Sequence, residues 1–173
     1  MSTPGDGVAR APSRRGFIRR ALTGGVGASI GLGGSRAARA QSGPIRSFDH
    51  VAVPMRDVDA MLAYYRALGF QVQETRGICS VHFGDSKINL HRPELWQQET
   101  FTLRAAAAEP PCGDFCFVWA DTVEALEAAF ARADAEVIEG PVPRLGGRDG
   151  GTVEGTSHYV RDPDGNLLEF IVY

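Results

Sequence analysis

Residues 46–173 carry one pattern twice: an apolar strand, an amphipathic helix, then three further strands. The first copy opens with Phe48–Val53, an apolar run closed by Pro54. Asp57 then caps a helix whose apolar residues fall at Val58, Met61, Leu62, Tyr65 and Leu68, with Gly69 as its stop. Strand-like runs follow at Phe70–Glu74, Ile78–Phe83 and Lys87–His91, with Gly84-Asp85-Ser86 turning between the last two. Residues 92–113, with Pro93, Pro110-Pro111 and Gly113, read as a linker. The pattern then resumes with a strand at Asp114–Trp119. A capping box, Asp121-Thr122-Val123-Glu124, opens a helix that buries Val123, Leu126, Phe130 and Ala133. Strands at Glu136–Glu139, Thr152–Arg161 and Asn166–Val172 complete the copy, the last two joined by Asp162-Pro163-Asp164-Gly165. An internal duplication restricts the fold more than any single element does. It predicts an α+β domain of two βαβββ modules, residues 46–91 and 114–173, forming a curved mixed sheet.

Side chains alternate across a strand, so each strand sorts into two faces. Val51 and Val53 oppose His50 and Ala52, and Ile88 and Leu90 oppose Asn89 and His91. Phe115, Phe117 and Trp119 oppose Asp114, Cys116 and Val118; Leu168, Phe170 and Val172 oppose Leu167, Glu169 and Ile171. One stripe is for a helix to cover, and the other carries His, Asp, Asn or Glu. Superposing the halves pairs His50 with Asp114 and Asn89 with Glu169, with His91 on the same face about 7 Å beyond Asn89. If both halves build one curved sheet, these groups meet on its concave side. Imidazole and carboxylate converging there suit a divalent metal with open positions for substrate. The metal ligands expected are His50, His91, Asp114 and Glu169, with Asn89 or His91 completing the set.

The chain's charge is unevenly placed. Seven of its 18 basic residues, all Arg, lie in the first forty positions, against one acid, Asp6. The remainder is acidic and holds a single lysine, Lys87, which excludes nucleic acid as a partner because phosphate contacts need clustered Lys and Arg. Ser13-Arg14-Arg15-Gly16-Phe17-Ile18-Arg19 has the pattern and position of a twin-arginine export motif. A weakly apolar glycine-rich stretch follows, Ala21–Gly34, and Ala38-Arg39-Ala40 makes a small-x-small cleavage site before Gln41. The stretch is too short and glycine-rich for a stable membrane span. Residues 1–40 are therefore expected to be a leader, and 41–173 a periplasmic or extracytoplasmic domain with no membrane insertion once the leader is removed. Cys79, Cys112 and Cys116 are an odd number, so no complete disulfide framework exists. Cys112 and Cys116 either bridge or leave Cys116 as a small strand residue.

The stretches Phe48-Asp49-His50-Val51-Ala52-Val53, Phe83-Gly84-Asp85 through Ile88-Asn89-Leu90-His91, Gly140-Pro141-Val142-Pro143 and Arg161-Asp162-Pro163-Asp164-Gly165-Asn166-Leu167-Leu168-Glu169 resemble the vicinal oxygen chelate superfamily. That group holds glyoxalase I, bleomycin-resistance proteins, fosfomycin-resistance transferases and extradiol dioxygenases. The look-alikes nearest in pattern are small glyoxalase-domain proteins, some called virulence proteins. The resemblance implies a cup around one divalent ion (Fe, Mn, Ni or Zn), with His50 as the first-strand ligand and Glu169 as the last-strand ligand. Asp114 stands where dioxygenases and fosfomycin transferases place His, and Asn89 where glyoxalase I places a carboxylate. Tyr159 lies where dioxygenases place an active-site Tyr, although a one-residue slip presents His158 instead.

The function implied is a metal-dependent enzyme on a small oxygen-chelating substrate. Glyoxalase-type lyase or isomerase chemistry uses Glu169 as ligand and proton shuttle; extradiol dioxygenase chemistry uses Tyr159. The alternative is a non-catalytic protein that sequesters a small molecule, as bleomycin-resistance proteins do. The Gly-rich run Leu145–Gly151 is not a phosphate loop, since no helix follows it, and is expected near the cup mouth, with Arg148 facing an anionic substrate. The modules pair either within one chain or by exchange between the chains of a homodimer.

Overall fold

The computed structural model of the chain describes residues 44–173, so the leader expected over 1–40 lies outside the described residues. The duplicated order is present: β1 (His50–Pro54), α1 (Val58–Leu68), β2 (Gln71–Glu74), β3 (Ile78–Phe83) and β4 (Ser86–His91), then β5 (Asp114–Val118), α3 (Val123–Ala133), β6 (Glu139–Leu145), β7 (Glu154–Arg161) and β8 (Leu167–Val172). Between the modules the expected linker holds a short helix, α2 (Pro93–Trp96), with Pro in its first turn, where a missing N–H costs nothing. Asp57 caps α1 by accepting from the Ala60 amide at 3.0 Å, and Gly69 ends it at φ 102°. The second cap falls one residue later than the expected box. Thr122 accepts from the Ala125 amide at 3.2 Å, while Asp121 takes the Thr122 amide at 2.7 Å.

The expected strand at Glu136–Glu139 is displaced to Glu139–Leu145. Pro141 and Pro143 lack a ladder donor, and β6 is the outer strand of its sheet, where that is tolerated. A register shift between Glu139 and Val142 takes up the distortion.

Each module makes its own four-stranded mixed sheet, ordered β1-β4-β3-β2 and β5-β8-β7-β6, with the parallel pair first. The registers match between modules: Ala52 pairs with Asn89 and Ser80 with Asn89, as Cys116 pairs with Glu169 and Tyr159 with Glu169. Asn89 and Glu169 thus hold equivalent places, as the duplication predicted. The inner faces carry Val53, Val81, Ile88, Leu90, Phe117, Val160, Leu168 and Phe170. They form one core with Met61, Leu62, Tyr65 and Leu68 of α1 and Leu126, Ala129 and Phe130 of α3, and α1 packs against α3. Edge-to-face rings knit the modules together, Phe117 lying 5.0 Å from both Phe70 and Phe83.

The Asp162–Asn166 turn fastens one module to the other. Buried Asp162 accepts from the Tyr65 hydroxyl (3.0 Å), the Asn166 amide and side chain (2.8 Å each) and the Asp164 amide (3.1 Å). Asp164 accepts the amides of Arg56 (2.6 Å) and Asp57 (3.1 Å) at the start of α1. Asn166 Oδ1 takes the amides of Cys112 and Gly113 at 3.0 and 2.8 Å. Asp162, Asp164 and Asn166, in the stretch that carries the strongest sequence resemblance, thus form a joint between modules, while Glu169 at its end stands on the polar face.

His158 points into the core, 2% exposed and beside Phe130, and neither ring nitrogen has a hydrogen-bond partner among the described residues. A buried polar ring without partners is a liability, and an apolar replacement of similar volume removes it. His158→Leu should leave urea-unfolding stability unchanged or raise it by about 1 kcal/mol.

Candidate functional site

The sheet faces turned away from the core hold every site residue expected from sequence. On the first sheet, β1 contributes His50, and β4 contributes Asn89 and His91. His50 Nδ1 meets the Asp49 carboxylate at 2.6 Å, which holds the Asp49 carboxyl below its ordinary value and leaves Nε2 for a ligand. Asn89 Oδ1 accepts from the Ser80 hydroxyl at 2.9 Å. His91 is 5% exposed because Phe101, from the inter-module segment, stacks edge-on at 5.2 Å. Burial lowers its pKa and favours the neutral, metal-binding imidazole. The same cover closes the ring off, which the sequence did not foreshadow.

On the second sheet, cross-strand neighbours line up as Cys116, Glu169, Tyr159 and Glu139. The Ser157 hydroxyl donates to Glu169 Oε1 at 2.5 Å and fixes the carboxylate. Arg144 Nε donates to the Tyr159 hydroxyl oxygen at 3.1 Å, and its Nη2 reaches Glu139 at 2.6 Å. Desolvation raises the Tyr159 phenol pKa, and the Arg144 hydrogen bond opposes it. Partial desolvation by its neighbours, and then Glu169, push the Cys116 thiol up to about 12, so it stays protonated. Asp114 is exposed at the start of β5. The hairpin register resolves the choice between neighbours: Tyr159 pairs with Glu169 and shares its face, and His158 is the core residue.

The two polar faces stand on separate four-stranded sheets, and the sequence left open whether they meet within one chain or between two. Both polar faces turn away from the shared core, so His50 and His91 lie on one sheet and Asp114 and Glu169 on the other. Among the described residues, no three His, Cys, Asp or Glu side chains of one chain come together in a metal-holding group. The physical reason is that apolar stripes and helices pack back to back, a solution that strand alternation alone does not distinguish from edge-to-edge closure.

Sequence reasoning passed over Ser157, Arg144 and Asp49. Ser157 is legible afterwards as the residue two before Tyr159 on the same face; Arg144 depends on the bulged register and had no signal. Arg148 is exposed and stacks over the Tyr173 ring at 3.9 Å. The three cysteines are free, Cys79 buried and Cys112 and Cys116 exposed, so no bridge links the last two.

The chain matches the family model of the Glyoxalase/Bleomycin resistance protein/Dioxygenase superfamily over residues 47–170. It is 35% identical over 130 residues to the glyoxalase domain-containing protein RDO1 of Mycosarcoma maydis, covering 75% of this chain and 69% of that protein. It is 33% identical over 131 residues to virulence protein STM3117 of Salmonella typhimurium, covering 75% of this chain and 85% of the relative. The crystal structure of that virulence protein superposes with a TM-score of 0.64 at 32% identity, over 75% of this chain and 98% of the other. Lactoylglutathione lyase from Agrobacterium tumefaciens, 21% identical with a TM-score of 0.56, shares the fold over 75% of this chain and 95% of the other. With the family model spanning both modules and two relatives above 30% identity, the chain belongs to the glyoxalase/bleomycin resistance protein/dioxygenase superfamily.

Proposed function

We propose that the protein is a divalent-metal-dependent enzyme acting on a small oxygen-chelating substrate, and that its site is completed between two copies of the chain. The carrying observation is that the polar residues flank strands β1 and β5, which are outer strands of their sheets with no partner on one side. Setting β1 of one copy beside β5 of another brings His50, Asn89 and His91 opposite Asp114, Glu169 and Tyr159, twice over by symmetry. The donor set fits such an ion: an imidazole whose other nitrogen is already oriented by Asp49, and a carboxylate oriented by Ser157.

His50 and Glu169 would hold the ion, with Asp114 and His91 as further candidates; His91 joins only if Phe101 moves aside. The ion would supply two-point chelation of substrate oxygens and stabilise charge developing there. Glu169 is the group suited to carry a proton, fixed by one hydroxyl and half-exposed on its other side. Tyr159, held by Arg144, stands beside it as a proton donor. Lyase or isomerase chemistry uses Glu169 first, and dioxygenase chemistry uses Tyr159. Export by a twin-arginine leader belongs to the same reading and places this chemistry outside the cytoplasm.

Metal analysis tests the proposal. The wild type should hold near-stoichiometric divalent metal. His50→Ala and Glu169→Ala should each weaken binding by more than the roughly 10–100-fold that loss of an outer-shell partner costs. Sharing predicts more: heterodimers of the His50→Ala and Glu169→Ala chains should recover half the metal, because one of their two sites is intact. A well-folded, metal-free wild type would favour the sequestering role instead. Oxygen uptake on catechols after anaerobic Fe(II) loading separates dioxygenase from lyase.

A further inference from the structure

The first polar face carries a charge that the metal ligands leave unused. Cross-strand partners Gln71, His82, Lys87 and His50 form one row across β2, β3, β4 and β1, and Ser80, Asn89 and Ala52 follow in the next. Lys87 comes from β4, an inner strand of its sheet, so it stands between two imidazoles rather than at a rim. It is the single lysine of the chain, and it is half-buried. Among the described residues it forms no ion pair; the cations that do are His50, Arg66, Arg92 and Arg144.

None of the strand residues turned to this face is acidic, whereas the second sheet offers Asp114, Glu169 and Glu139. Glu139 is taken by Arg144. In the shared site Asp114 and Glu169 bring two negative charges to a divalent ion, so the charge balances before Lys87 is counted. An ammonium one strand from His50, about 4.8 Å at the backbone, then repels the ion unless an anion lies between them. Asp49 does not fill that place. Its carboxylate is 85% exposed and bonded to His50 Nδ1 at 2.6 Å. The His50 hydrogen bond does most to hold that carboxyl below its ordinary value, and the Lys87 charge does least.

We propose that Lys87 binds a carboxylate of the substrate, which is therefore a chelating hydroxy or oxo compound with a separate carboxylate within about 5 Å of its chelating oxygens. This rests on the shared-site reading above. A compact ammonium with three donors suits a place between two imidazoles better than the planar fork of an arginine. Lys87 is in this way a specificity residue: it selects among chelating compounds by their charge and leaves the ion to His50 and Glu169.

Malate and lactate test the contact, since they share one chelating hydroxy-acid group and differ in a further carboxylate. The protein is the full chain as its host processes it, loaded with zinc. Reductive methylation with isotopically labelled formaldehyde marks only Lys87 and the α-amino terminus, because the chain has no other lysine. Malate should bind roughly 10-fold tighter than lactate by calorimetry. It should also shift the Lys87 methyl signal by NMR, which lactate should leave in place. Lys87→Met identifies that signal by its loss and should abolish the preference for malate. Equal binding of the two acids, an unmoved Lys87 signal, or a preference that survives Lys87→Met would each overturn the role of Lys87. If any of these occurs while mixed His50→Ala and Glu169→Ala chains still recover half the metal, the shared site stands and only the carboxylate contact fails. A wild type that binds no zinc overturns both.

Discussion

Asp162→Ala should unfold the protein more readily than any other single truncation of the inter-module joint, by about 3–5 kcal/mol in urea titration. The carboxylate accepts four hydrogen bonds in a buried setting, and its loss strands the Tyr65 hydroxyl, the Asn166 amide and side chain and the Asp164 amide. Stranded buried donors cost more than the bonds themselves contribute. Tyr65→Phe removes one of these donors and should cost only about 1 kcal/mol. Burial holds the Asp162 carboxyl above its ordinary value, with hydrogen bonds from Asn166 and Tyr65 pulling the other way. The folded chain therefore holds this proton more tightly than the unfolded chain. Its contribution is fully present below the unfolded carboxyl value and declines as pH rises through the folded one. The stability gap between wild type and Asp162→Ala should accordingly widen on acidification; a gap that narrows would contradict the assignment.

Gly140→Ala should cost about 3 kcal/mol or more and disturb the second polar face. Gly140 sits at φ 128°, a conformation that L side chains rarely adopt. A Cβ there would lie 2.7 Å from the Ser157 carbonyl and 2.9 Å from the His158 Cα, both backbone atoms that have little room to yield. The residue lies inside the register shift between Glu139 and Val142, which sets where Glu139 and Arg144 stand relative to Tyr159. The substitution should therefore loosen the Arg144–Tyr159 contact as well as lower stability, visible as a changed Tyr159 ring environment by NMR. Gly147→Ala provides the contrast: an added Cβ there meets nothing within 4 Å, and stability should stay within about 0.5 kcal/mol. Equal effects at the two positions would show that the strain argument is wrong.

The joint and the polar faces have separate tasks. Asp162, Asp164 and Asn166 spend their hydrogen-bonding capacity on α1, on their own turn and on the start of β5. Glu169, only three residues beyond Asn166, stands on the opposite side of the sheet with a single hydroxyl partner. A motif read as one conspicuous string thus splits between holding the modules together and supplying chemistry, because β8 begins in the middle of it.

The local chemistry of the chain was legible in its residues. Alternation assigned Val51, Ile88, Phe117 and Phe170 to the core and His50, Asn89, Asp114 and Glu169 to the other face, because a strand offers its side chains only two directions. The helix stops and starts at Asp57, Gly69 and Thr122 follow from short-range hydrogen bonding and steric allowance. What no stretch of sequence decided was how two such modules meet. Stripes of Val, Leu and Phe are satisfied by a helix from either module, so the hydrophobic effect, which has no direction, leaves the pairing open. Tertiary packing chose α1 against α3 and turned both polar faces outward. It laid Phe101 over His91 and set Tyr159, in place of His158, beside Glu169. The first depends on contacts between residues far apart in the chain, and the others on the path of a connecting segment and the register of a hairpin, none of which spacing along the chain encodes.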